Sequence, residues 1–216
     1  MEIHKPKPWH GWREFLKEYG IIVLGVLTAL GAEQFAEAVH RDAEVREARA
    51  ALRTEIRADS TILIRGIEEG KCLLPQLSAY AAWARGGEKP PPFRTLLPSF
   101  RTSTWDTVKA GAVPLMPLQE RLGVAAFYDV LRTEQAVIDI QHANALVLFG
   151  AQERAALNDT DRGRVLDAIA VERQMASIYQ SNATGLLGLA TGMDLRPSPL
   201  TAEQRAALVA LCGKAS

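Results

Sequence analysis

Apolar and polar residues along this chain recur mainly at spacings of three and four, the repeat of helix faces, and no alternating stretch is long enough for a strand. The exception is a continuous run, Tyr19 to Ala32, that carries no charge. At 1.5 Å per residue this run covers about 21 Å, short of a hydrocarbon core about 30 Å thick. Phe15 and Leu16 on one side and Phe35 and Ala36 on the other close the gap. Lys17 then lies where its stem can snorkel, and Trp9, Trp12 and Tyr19 lie where interfacial aromatics are found. Glu33 is the costly member, a carboxylate near the far interface. The pattern predicts a basic and aromatic leader over 1–18, a membrane-anchor helix over 19–36 and a helical domain over 37–216. Two other readings of the run exist: a cleaved signal peptide, which Glu14 and Glu18 disfavour, and a soluble helix buried in a core or facing a partner.

After the run, Val45, Ala48, Leu52, Ile56, Leu63 and Ile67 mark one apolar stripe and predict a long helix from Phe35 to about Gly70, continuous with the anchor. Arg49, Arg53 and Glu55 read as its solvated face. Leu73 to Arg85 predicts a second helix ending at Gly86-Gly87, followed by a connector over 86–98 that contains Pro90-Pro91-Pro92. Ser103 or Thr104 is placed to cap a short helix ending near Gly111, with Trp105 as a buried plug against a long helix over 118–157. Asp159-Thr160-Asp161 reads as the cap of a further helix. Thr201-Ala202-Glu203-Gln204 has the capping-box form and opens a last helix to about Cys212. The fold class predicted is all-α, an N-terminal membrane-anchor helix continuing into an irregular helical bundle.

Composition narrows the function classes. Of 216 residues, 48% are hydrophobic and 23% charged, enough for one real core, and 25 basic residues balance 25 acidic ones, so no global field favours nucleic acid. Lys5, Lys7, Arg13 and Lys17 precede the run and Arg41, Arg46 and Arg49 follow it. This slight bias predicts a cytoplasmic N-terminus and a C-terminal domain outside the cytoplasm. Cys72 and Cys212 are too few for a disulfide scaffold and read as two unpaired, buried thiols rather than a bridge.

The segment Trp12-x-x-Phe15-x-x-Glu18-x-Gly20-Ile21-Ile22-Val23-Leu24-Gly25-Val26-Leu27-x-Ala29-Leu30 resembles the N-terminus of a family of small uncharacterised bacterial proteins. These carry a short membrane segment followed by a long charged helix. Ser103-Thr104-Trp105 with Gly111, Leu118, Leu122 and Tyr128 is loosely similar to a downstream pattern of the same proteins. The resemblance implies a single-pass protein of the bacterial inner membrane. It carries no known activity, so no functional residues follow from it.

No phosphate-binding glycine loop, nucleophile elbow, H-E-x-x-H or Cys-x-x-Cys occurs, and two of the four histidines lie in the N-terminal tail. Catalytic and cofactor-binding residues are therefore not assigned. The sharpest constellation is Glu37 with His40, and Asp139 with His142, carboxylate–histidine pairs of the kind helical bundles use for metals. Ordinary solvated helix faces carry the same residues, and no metal is expected. The partners expected are the lipid bilayer, a second copy of the chain or another membrane protein; the small residues Gly25, Ala29 and Ala32 would suit close helix packing.

Overall fold

A computed structural model of the chain describes residues 11–96, 98–154 and 156–212. It is all-α, with no strand among the described residues. The helices are α1 (Trp12–Ala84), α2 (Ser103–Val108), α3 (Leu118–Gln152), α4 (Asp159–Gly192) and α5 (Ala202–Cys212), with a single 3-10 turn at Val113–Leu115. Lys5, Lys7 and Trp9 of the leader lie outside the described residues. The chain divides into two units after Glu47. The first buried side chain of α1 is Ala48.

The two helices expected over 35–85 are one. Pro75 lies inside α1, where a proline costs an interior helix about 3 kcal/mol. The helix continues because Leu63, Leu73, Leu77 and Tyr80 form an unbroken buried stripe on both sides of it. Gly66 does not end the helix either. A methyl group there would collide with the Tyr179 ring, so the glycine admits α4 at close range. The turn comes instead at Gly86, with φ of 140°, and the connector runs from Arg85 to Thr102, longer than the expected 86–98.

Pairs along the helices fix the topology of the second unit. Arg49 meets Glu120, Glu55 meets Tyr128 and Tyr80 meets the Leu148 carbonyl, so α1 and α3 run parallel. Gln141 meets Glu172 and Gly123 lies against Met193, while Ser78 meets Arg173 and Gly66 lies against Tyr179, so α4 runs antiparallel to both. The core between them includes Leu73, Leu77, Phe93, Leu148, Val165 and Ile169, with Tyr80 edge-on to both Trp83 and Phe93. Asn158, not Asp159, caps α4, accepting from the Asp161 amide at 2.8 Å. At α5 the capping box forms as its sequence predicts: the Thr201 amide donates to Gln204 at 2.8 Å and the Gln204 amide to the Thr201 hydroxyl at 3.1 Å.

Parallel neighbours need a chain that returns between them, and here it is the extended connector. Its amides make no ladder; helix side chains accept them one by one. On α1, Gln76 takes the Arg94 amide at 2.9 Å, Glu69 takes Leu96 at 2.6 Å, and Asp59 takes Arg101 at 3.1 Å. On α3, Gln152 takes the Phe93 amide and Gln135 takes Phe100, each at 3.1 Å. Backbone donors that would otherwise be orphaned in the interior are thus satisfied.

Cys72 and Cys212 are joined in a disulfide, with Cα atoms 5.2 Å apart across a sequence separation of 140, which corrects the unpaired reading. Helix α5 buries only Leu208, and it is held by this bond and by Arg94 donating to the Ala210 carbonyl at 3.2 Å. Sequence separation carried no sign of that proximity; α5 reaches Cys72 because it runs back along α1 after Ser198 meets Thr61.

Candidate functional site

Two features stand out from ordinary bundle construction: the exposed apolar part of α1 and a polar interior in the second unit. In the first, none of Tyr19–Ala32 is buried; Ile21, Ile22, Leu24 and Leu27 are each 60% exposed or more. The rings of Trp12, Phe15 and Tyr19 stack in sequence along one side of the helix. Thr28 returns its hydroxyl to the Leu24 carbonyl at 2.8 Å, so it is satisfied within the helix. Among the described residues, α1 is the one helix long and apolar enough to cross a membrane.

The second unit buries five carboxylic acids: Glu55, Asp59, Glu69, Glu134 and Glu172. Glu55 is fully engaged. It accepts from the Tyr128 hydroxyl at 2.6 Å and from the amides of Thr104 and Trp105 at 2.9 and 3.3 Å. It thereby serves as the N-terminal cap that α2 lacks, since Thr102 makes no side-chain cap bond. Burial works against its charge, yet these donors hold its pKa below the ordinary value, while burial and the Glu55 charge push the Tyr128 hydroxyl up. Reading Glu55 as solvated is therefore corrected. Trp105 is buried as predicted, stacked on Tyr128 with ring centroids 4.9 Å apart.

The other acids are less well served. One oxygen of Asp59, one of Glu172 and both of Glu134 are buried without a hydrogen-bond partner. Burial pushes each of the three up to about 7, offset in part by the Arg101 amide at Asp59 and by Gln141 at Glu172. Burial raises Glu69 as well, against its bonds from Thr95 and Leu96. Asp59, Glu69, Glu134 and Glu172 are thus buried acids whose pKa values are raised toward neutrality.

Beside Glu69 lies a partly open cavity of about 150 Å³. Helix α1 contributes Gly66, Glu69, Gly70 and Leu73, the connector Leu96 and Pro98, α3 Ile138 and His142, and α4 Arg173 and Tyr179. The Nε2 atom of His142 is buried there without a hydrogen-bond partner. A wider groove of about 720 Å³ lies where α1, α3 and the end of α4 meet, beside the Arg49–Glu120 ion pair.

Glu37 and His40 are exposed on α1 in the first unit, while Asp139 and His142 belong to the second. Asp139 accepts from Gln135 at 2.9 Å, and His142 lines the cavity. Among the described residues no three His, Cys, Asp or Glu side chains come together in a way that would hold an ion. The buried acids were missed because charges were assigned to solvent by type. Their phase was the available signal: Asp59 falls in register with Leu52, Ile56 and Leu63 on the apolar stripe.

Comparison with protein-family models, with curated proteins and with solved structures finds no match to this chain.

Proposed function

We propose that the chain is a single-pass protein of the bacterial inner membrane whose helical domain faces the periplasm and works by binding or self-association rather than by catalysis. The observation that carries this reading is that no side chain of the uncharged run Tyr19–Ala32 is buried, on a helix of spanning length. A core helix would bury those side chains, whereas a lipid-facing helix leaves them bare of protein. The stacked Trp12, Phe15 and Tyr19 suit one interface. The Cys72–Cys212 bond supports the periplasmic side, because such bonds persist in oxidising compartments. The resemblance to small inner-membrane proteins points the same way.

The test is fractionation with alkaline-carbonate washing, combined with protease treatment of spheroplasts. The expected result is uncleaved protein in the washed membrane fraction, its domain digested from outside, with no free thiol before reduction. Recovery in the soluble fraction would overturn the anchor and leave 19–32 as a partner-facing helix. Protection from external protease would overturn the orientation.

A further inference from the structure

We propose that the cavity between α1, α3 and α4 binds a small monocarboxylate, its charge on Arg173 and its apolar tail inside. The inference rests on the reading of the domain as a binding module and gives it a ligand class. It stands on the cavity and needs nothing of the membrane.

Helix α4 supplies the charged side of the site. Arg173, Ser177 and Gln180 fall at i, i+4 and i+7 on one helix face, and all three line the cavity. Arg173 is the one guanidinium on that wall. It gives a single hydrogen bond, from Nη2 to the Ser78 hydroxyl at 3.1 Å, and among the described residues no carboxylate pairs with it. A guanidinium with free N–H groups takes a carboxylate through paired, charge-assisted bonds. One such cation matches one negative charge, rather than the two of a phosphate monoester. The hydroxyl of Ser177 and the amide of Gln180 are donors on the same face, suited to the same oxygens.

The other elements give the tail its surface: Leu73 and Leu74 from α1, Leu96 and Pro98 from the connector, Ile138 from α3. A cavity of about 150 Å³ can hold a benzene-sized molecule, which sets the tail at roughly four to seven carbons. Glu69 is the one carboxyl that lines the cavity. Its Oε1 accepts from the Thr95 hydroxyl and the Leu96 amide, both at 2.6 Å, and burial raises its pKa. The charged and titratable groups about it are Arg65 on α1, Glu172 and Tyr179 on α4 and, on the same cavity wall, His142 on α3. Glu69 thus holds the connector rather than meeting the ligand's charge. A glutamine Oε1 can accept the same two bonds.

Calorimetric titration of the full chain in lipid nanodiscs with n-hexanoate, against n-hexanol and n-hexylamine and with empty nanodiscs as the blank, tests the site. Saturable hexanoate binding about tenfold tighter than the alcohol, with no saturable binding of the amine, is expected. Arg173→Gln should weaken hexanoate about tenfold and Arg173→Lys less, with the melting temperature unchanged because that side chain is exposed. Gly70 also lines the cavity, and a Cβ there meets nothing within 4 Å, so Gly70→Leu should fill the space and abolish binding. Glu69→Gln should bind hexanoate at least as tightly as the wild type. Equal affinity for acid and alcohol, saturable binding of the amine, unchanged binding in Arg173→Gln or in folded Gly70→Leu, or loss of binding in folded Glu69→Gln would each overturn the proposal. If Glu69→Gln fails to fold, the ligand comparison and the Arg173 variants decide alone. Failure here leaves the membrane reading untouched, since fractionation scores that separately.

Discussion

Gly66→Ala should destabilise the domain even though it replaces glycine in mid-helix. Two terms oppose each other. Alanine gains about 1 kcal/mol in helix propensity over glycine. Against this, the new methyl would lie well inside van der Waals contact with the hydroxyl, Cζ and Cε1 of Tyr179. That ring is only 6% exposed, so it cannot swing into solvent; relief needs α1 and α4 to part. Overpacking costs about 1–3 kcal/mol, and three contacts this close belong to the upper part of that range, so the net loss is about 1–2 kcal/mol. For a domain of this size that lowers Tm by about 5 °C. Gly70→Ala, one turn on, meets nothing within 4 Å and should raise Tm by a few degrees, since only the propensity term (about 1 kcal/mol) applies. Near-ultraviolet circular dichroism melts of the two variants in the same detergent give the comparison. In a Tyr179→Leu background the cost of Gly66→Ala should vanish, a coupling that a double-mutant cycle isolates. A Gly66→Ala protein that melts at or above wild type would refute the close-approach argument.

Asp59, Glu134 and Glu172 have folded pKa values raised to about 7 against ordinary values of 3.8 to 4.5. The stability they lend is complete below about pH 4 and is lost as pH rises through 7. Unfolding titrations should therefore show a weaker domain at pH 8 than at pH 5. Glu134→Gln should shrink the stability difference between low and high pH by about 3 kcal/mol, and an unchanged difference would count against a raised Glu134 pKa. Trp105→Ala should cost about 3–5 kcal/mol, lowering Tm by about 10 °C, because it empties the stack on Tyr128; a shift under 2 °C would refute its role as a plug. Reduction of Cys72–Cys212 should expose the 196–212 segment to protease while the α1–α3–α4 core resists, since α5 buries only Leu208; simultaneous digestion of both would show that α5 is integral to the core.

The all-α class was legible because the stripes from Val45 to Ile67 and across 118–157 have helical spacing over many turns. Punctuation misled in two places. The spacing places a boundary near Gly70, but a continuous buried stripe carries α1 through it and past Pro75. Asp159 read as a cap one residue late. The interior chemistry was less visible. Glu37, His40, Asp139 and His142 share spacing on paper, yet only His142 reaches the cavity, because spacing along a helix does not say which helix faces which. The pairing of Cys72 with Cys212 and the trans-capping of α2 by Glu55 depend on tertiary contacts far apart in sequence, where local pattern carries no information.

The connector has a further consequence, which is one of dimension. Its acceptors Gln76 and Asp59 on α1 are separated by about 25 Å of helix, and Gln152 and Gln135 on α3 by the same rise. The residues that reach between them, Arg94 to Arg101 and Phe93 to Phe100, span at most about 23–25 Å when fully extended. The segment is therefore a tie-rod at nearly full stretch between two fixed pillars. Removing one residue from it must release an amide at one end, whereas the Gly86 to Pro92 stretch, outside the tied interval, has slack to absorb changes in length. Its length is as constrained as a core side chain's volume.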